Sequence, residues 1–318
     1  MKTYQLKRST KLGISLLLVF IVINIAVKLF SSLELTAKSP DNVETSIITH
    51  HKQHPDCAPF DRRITPRHLF QSYFSIQQDS KWLAKPTLHS PTFQEIHRLL
   101  FGLSAPNIYA TWPNYFKQKS DSTYPHTSLS QSIFEKLTEE VDIPIRFVVE
   151  VGSFMGKSAI NIGKVLLQSQ FNQNYVLLCI DTWLGGLEHW VQDDLREMMG
   201  MAYGRPIVYE QFIANIIASN LTDHVLPYST TSLLGARFLL EKKLFPQIIY
   251  LDSAHLQGET YIELELYWSI LQTGGILVGD DWDWKAVRCD VLIFIDSNQL
   301  NVTVLSTKTW FIKKQKRA

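Results

Sequence analysis

Four short apolar runs in this chain each deliver an acid. Phe147–Val151 carries Glu150, Tyr175–Ile180 ends in Asp181, Gln247–Leu251 ends in Asp252, and Ile276–Gly279 ends in Asp280–Asp281. Carboxylates at such points can hold a cation, accept hydrogen bonds from sugar hydroxyls or move protons. Directly after the first run come Gly152 and Gly156, which let the backbone turn tightly and approach a ligand. Two histidines lie near these acids: His255, three residues beyond Asp252, and His189 in Glu188–His189–Trp190. Each can exchange a proton near neutral pH, although a lone histidine is more often structural.

Three cofactor classes compete for the glycine turn. A phosphate loop needs G-x-x-x-x-G-K-[ST], but Gly152–Ser158 is one residue short and carries the bulky Phe154 and Met155. A nicotinamide site needs G-x-G-x-x-G, and Phe154 stands where the middle glycine belongs. A sulfonium cofactor fits better. Glu150, ahead of the glycines, repels phosphate and attracts an ammonium group. S-adenosylmethionine carries an amino group, a cationic sulfur and no phosphate. Asp181 is then placed to accept from its ribose hydroxyls. The plainer alternative is that Glu150 caps a turn and Asp181 a helix.

Asp252, Asp280 and Asp281 fall at neighbouring strand ends. Three hard oxygen ligands suit Mg²⁺ or another divalent cation, which would lower the pKa of a hydroxyl and fix it in line with a methyl donor. Helix capping by Asp280 and Asp281 is the competing reading.

The elements that must position these residues follow a regular alternation. The apolar runs suit strands buried on both faces, and helical periods separate them at Ser158–Leu167, Tyr209–Ser219, Ser232–Leu240, Tyr261–Leu271 and Ala286–Ile295. Val225–Tyr228 is a further strand, and Val302–Leu305 with Thr309–Ile312 form a closing antiparallel pair. Strands alternating with helices predict an α/β fold, a doubly wound, mostly parallel Rossmann-like sheet, with ligands outside the carboxyl ends of its strands. Ahead of it the helical period returns from Thr92, with Phe93–Phe101 ended by Gly102, and Thr127–Leu137 reads as a capped helix. The aromatic stretch Asn107–Pro125 between them reads as a lid over the pocket or a cap on the sheet edge.

The chain has 318 residues and a formal net charge of +1, so no global basic field points to nucleic acid. Leu12–Phe30 is apolar apart from Lys28 and close to the ~20 residues that cross a bilayer. Lys2, Lys7, Arg8 and Lys11 precede it, which places the N-terminus in the cytosol and the rest across the membrane. A cleaved signal peptide competes, but no small-x-small site follows. The sequons Asn220–Leu221–Thr222 and Asn301–Val302–Thr303 fit a translocated glycoprotein. Cys179 reads as a buried thiol; Cys57 and Cys289 are free to pair, and their spacing does not decide it. His50, His51, His54 and Cys57 lack the second half of a zinc set and read as a solvated linker. The expected organisation is a cytosolic tail (1–11), a transmembrane signal anchor (12–30), a stem (31–85), a helical cap or lid (86–140) and the main domain (141–318).

Glu150-x-Gly152-x-x-x-Gly156, Ile180–Asp181–Thr182–Trp183, Tyr250–Leu251–Asp252–Ser253–Ala254–His255 and Gly274–Trp282, in this order, resemble a class I S-adenosylmethionine-dependent methyltransferase. The nearer likeness is to the metal-dependent O-methyltransferases of the catechol and macrolide-sugar types. It spans about Val141 to Lys314. It implies a cofactor cradle of Glu150, Gly152, Ser153, Gly156, Ser158, Asp181, Thr182, Trp183, Ser232 and Asp252, and a metal held by Asp252, Asp280 and Asp281. Catechol-type enzymes carry a lysine base where this chain has His255, so His255 or His189 is the expected base. Trp183 and Trp282 flank the site, with core packing equally open to them. The expected activity is methyl transfer to a hydroxyl of a sugar, polyol or other small molecule, by an enzyme anchored in the membrane and facing the secretory lumen. A phosphate-loop transferase (a sulfotransferase or kinase) and a non-catalytic anchored protein that keeps the fold are the alternatives.

Overall fold

The computed structural model describes residues 45–49, 57, 90–110, 112, 129–168, 174–253 and 255–315. The expected tail, anchor, most of the stem and the histidine-rich linker lie outside the described residues, as does most of the aromatic stretch after Trp112. No helix among the described residues is long and apolar enough to cross a membrane.

Eight strands form the main sheet: β1 (Ser46–Thr49), β2 (Phe147–Val151), β3 (Val176–Asp181), β6 (Val225–Ser229), β7 (Ile248–Leu251), β8 (Ile276–Gly279), β9 (Asn301–Val304) and β10 (Trp310–Lys313). Their order is β1-β9-β10-β8-β7-β2-β3-β6. The five strands from β8 to β6 are parallel, and β10, β9 and β1 are antiparallel additions. The sheet is thus the doubly wound one expected from the alternating runs. Every residue of β2, β7 and β8 is buried, as a strand covered on both faces requires.

Helices fill the crossovers. One face carries α3 (Lys157–Gln168) and α6 (Val208–Ala218); the other carries α7 (Ser232–Glu241), α8 (Glu259–Ile270) and α9 (Lys285–Asn298). The two expected N-terminal helices are α1 (Phe93–Phe101) and α2 (Gln131–Glu139). Thr92 and Glu95 close α1 with a capping box, and Ser130 caps α2. Their buried residues go to opposite faces: Phe93 and Ile96 to one core, Phe134 and Leu137 to the other. The Tyr109 hydroxyl donates to the Val225 carbonyl at 2.7 Å. That end of the aromatic stretch therefore caps the sheet edge.

Two features depart from the expected organisation. The stem was expected to lack structure, yet Ser46–Thr49 pairs with β9, with Ile47 opposite Thr303 and Ile48 opposite Val302. Its β-branched residues satisfy the backbone of an otherwise open edge. Cys57 is joined to Cys289 of α9 by a disulfide, which ties the stem to the body. Between β3 and α6, where no period was legible, the chain forms α4 (Leu187–Val191), α5 (Asp193–Met199) and a two-residue hairpin of β4 (Met201–Ala202) with β5 (Arg205–Pro206).

β2 starts the parallel part of the sheet. The chain first winds outward through β3 and β6, then crosses back to pair β7 with the other side of β2. The switch point lies between β2 and β7, where such sheets bind ligands.

Candidate active site

The glycine turn sits at that switch point. Gly152 and Gly156 both have φ +85°, which a residue with a side chain adopts only under strain. At Gly152 a second constraint applies: the Asp252 main chain passes beside its Cα, with no room for a Cβ. The Gly152 N–H donates to the Ile180 carbonyl at 2.9 Å, so the turn is pinned to β3.

A cavity of 640 Å³ opens over this turn. Its walls include Gly152, Ser153, Ser158, Asp181, Thr182, Ser232 and Asp252, all expected in the cofactor cradle. Asp181 fastens the wall: Oδ2 accepts from the Phe154 N–H at 2.8 Å and Oδ1 from the Trp183 N–H at 2.7 Å. Burial raises the Asp181 pKa, and the backbone N–H bonds work against the rise.

Glu150 does not line the cavity. It lies beneath the turn, fully buried, on the sheet face it shares with Cys179 and Tyr250. The Cys179 thiol donates to Oε2 at 3.3 Å. Glu150 Oε1 and the Ser153 hydroxyl find no hydrogen-bond partner among the described residues. Burial pushes the Glu150 carboxyl up to about 7; nearby Ser153 and Ser158 moderate the rise. A buried acid with an unpartnered oxygen, beside an unpartnered hydroxyl on the cavity wall, fits a cationic ligand better than a phosphate.

Trp183 and Trp282 are not in the wall. Trp183 is buried against Tyr209 and Phe212, and its indole N–H donates to the Phe154 carbonyl at 2.8 Å. Trp282 packs on the core near Trp310. Core packing accounts for both, because each strand-end turn folds its indole back into the interior.

Asp252 and His255 line the cavity, and one ligand atom each from Asp252, His255 and Asp281 lies within 4.8 Å of the others. His255 Nε2 stands 2.9 Å from Asp281 Oδ2 and 3.9 Å from Asp252 Oδ1. The short contact is an ion pair off the N–H axis, and Nε2 has no aligned hydrogen bond among the described residues. Lys308 Nζ adds a cation 3.7 Å from Asp281 Oδ1. Asp280 turns away: it is buried, accepts from the Tyr250 hydroxyl at 2.9 Å, and accepts from the Asp281 N–H at 2.7 Å. The expected acid trio is therefore an acid pair plus an imidazole, with Asp280 bracing the turn behind it.

Charge in this cluster is strongly coupled. Burial alone would lower His255, but Asp252 and Asp281 raise it to about 11. Burial raises Asp252 to about 6, with His255 opposing and the neighbouring aspartates adding. Burial would raise Asp281 too, but His255 and then Lys308 hold it below the usual carboxylate range. Without a metal, His255 is a cation at neutral pH and cannot accept a proton. The two carboxylates fit a divalent cation as ligand atoms, with the imidazole beside them.

His189 lines the cavity beside Phe154, with ring centroids 5.1 Å apart. Its Nδ1 accepts from the Gly186 N–H at 3.2 Å. Glu263 was not anticipated. It is buried in α8, lines the cavity and accepts from the Ser253 hydroxyl at 2.8 Å. Burial lifts it to about 7. Its signal in the sequence was an acid between the apolar residues Tyr261 and Leu264.

Residues 149–282 match the family model of a methyltransferase domain. Among solved structures, the chain is similar to the apo form of CalS11, a TDP-rhamnose 3'-O-methyltransferase of calicheamicin biosynthesis. Identity is 15%, the TM-score 0.43, and 71% of this chain and 96% of that one are covered. It is also similar to an O-methyltransferase from Bacillus cereus in complex with SAH, at 12% identity and TM-score 0.42, over 77% of this chain and 100% of that one. No curated protein sequence matches. The family match over residues 149–282, which holds the glycine turn and the cavity-lining residues, supports an S-adenosylmethionine-dependent methyltransferase.

Proposed function

We propose that the chain is a membrane-anchored O-methyltransferase, assisted by a divalent metal, whose body faces an oxidising lumen. The observation that carries the chemistry is the meeting of Asp281 with Asp252 and His255, two residues that line the cavity over the glycine turn.

Bound there, S-adenosylmethionine supplies an electrophilic methyl group on a sulfonium and leaves as the neutral thioether. The turn Gly152–Gly156 would orient it, with the Glu150 carboxyl beneath and Ser153 and Ser158 on the wall. Asp181 would accept hydrogen bonds from the ribose hydroxyls, with Thr182 and Ser232 also on the wall. Asp252 and Asp281 would hold Mg²⁺ or another divalent cation, which lowers the pKa of an acceptor hydroxyl. His255, beside that acid pair, would take the proton of the hydroxyl at Nε2 once the cation offsets the charges that hold its own. Asp280 holds the Asp281 turn in place. His189, with Nδ1 already accepting from Gly186, serves as wall rather than base.

The Cys57–Cys289 disulfide supports the compartment, since such bonds persist in oxidising environments. The Leu12–Phe30 run supplies the anchor, with the N-terminus cytosolic. Sugars and polyols are the acceptors to try first, because their adjacent oxygens suit chelation by a cation on an acid pair. No nucleic-acid partner is proposed.

The test is calorimetry of the detergent-solubilised full chain with S-adenosylmethionine, repeated with Glu150→Ala and Asp181→Ala. Binding in the unmutated chain and weakening by tenfold or more in each variant is the expected result. Absence of heat at millimolar cofactor would sink the reading. Binding of a nucleotide phosphate in its place would establish the phosphate-loop alternative.

A further inference from the structure

Glu188 belongs to no motif, yet its carboxylate meets His255 in the cavity wall. Its Oε1 lies 3.3 Å from His255 Nδ1, and both side chains are about one-fifth exposed. The loop before α4 is shaped around that carboxylate. A Cβ added at Gly186 would stand 2.5 Å from Glu188 Oε1 and 2.9 Å from Oε2. The carboxylate end of that side chain occupies the space a Cβ at Gly186 would take.

Oε1 is also 3.3 Å from His189 Nδ1. That nitrogen already accepts the Gly186 N–H at 3.2 Å, so it presents a lone pair and has no proton to give. The histidine that donates to Glu188 is His255. On its other side, the His255 ring is held by Trp284, with centroids 4.8 Å apart. Nε2 is then directed at Asp281 and Asp252.

We propose that Glu188 is the positioning residue of His255. It keeps the proton on Nδ1, and so makes Nε2 the nitrogen presented to the acid pair and to the acceptor hydroxyl. An imidazole has two chemically distinct nitrogens, and a carboxylate bonded to one decides which face works. Gly186 is part of the device, because any side chain there displaces the carboxylate. The proposal rests on the reading of His255 as the proton acceptor.

The test is nuclear magnetic resonance of the full chain in detergent micelles, ¹⁵N-labelled at histidine only, with and without Mg²⁺. His255→Gln identifies the His255 signals. In the unmutated chain the Nδ1 proton of His255 should be protected from solvent exchange in both states. In Glu188→Gln its exchange should accelerate about tenfold or more, the loss of one charge-assisted hydrogen bond. With Mg²⁺, an Nε2–H form should also appear in that variant. Gly186→Ala should reproduce the faster exchange with Glu188 intact. Equal exchange in the unmutated chain and in Glu188→Gln overturns the proposal. S-adenosylmethionine calorimetry on the same samples keeps the two readings apart. Retained heat in both variants localises the change to His255. No heat in the unmutated chain contradicts the cofactor reading and leaves the exchange comparison standing.

Discussion

A methyl group added to the Gly152 Cα would stand 2.0 Å from the Asp252 carbonyl oxygen. The turn after β2 and the end of β7 are thus in backbone contact across the switch point, and cradle and acid pair form one rigid unit. Gly152→Ala must shift the Asp252 main chain and also adopt φ +85° with a side chain. The expected cost is roughly 2–4 kcal/mol, with loss of S-adenosylmethionine binding. Thermal melts and calorimetry on the variant check both.

Asp280 and Asp281 are adjacent but separable. Asp281→Asn should weaken Mg²⁺ or Mn²⁺ binding by tenfold or more while leaving cofactor binding in place. Asp280→Asn loses a buried acceptor shared by Tyr250 and the Asp281 N–H. It should therefore lower stability by about 1–3 kcal/mol. Metal titration and chemical denaturation of the two variants separate the roles; equal metal affinity in Asp281→Asn and the unmutated chain would contradict the site.

Stability should fall as pH rises. Glu150 and Glu263 reach about 7, and Asp252 and Asp290 about 6, each by burial first. Between the unfolded values near 4 and these folded values, the native state binds more protons than the unfolded chain, so this contribution is lost with rising pH. His255 acts in the same direction: its contribution is complete below about 6.5 and lost as pH approaches about 11. Asp281, held low by His255, opposes only under acid conditions. The melting temperature at pH 5 should exceed that at pH 8 by roughly 5 °C or more, and Glu150→Gln should flatten the slope. A melting temperature that rises toward pH 8 would rule this out.

The Cys57–Cys289 bond joins positions 232 apart in sequence. Its reduction, or Cys289→Ser, should cost on the order of 2–5 kcal/mol. Melts with and without reductant measure it. Free-thiol counting on protein taken from the secretory pathway should find one thiol, Cys179.

The alternating apolar runs determined the parallel sheet almost to the residue, because a strand buried on both faces has few alternatives to Val, Ile and Leu. Gly152, Gly156, Asp181 and Asp252 were legible for a related reason: a tight turn and a strand end are local features. What only the tertiary structure decided was which neighbours those residues meet. Asp280 and Asp281 are chemically alike in sequence, but one meets Tyr250 in the interior and the other His255. Glu150 carries the charge that turned the reading away from phosphate, yet the pleat sets it under the turn instead of in the wall. Trp183 and Trp282 went to the core, Cys57 found Cys289, and Glu188 reached His255. Those partners lie far apart along the chain, and no local period encodes a contact between them. Only packing of the helices on the sheet brings them within a few ångströms.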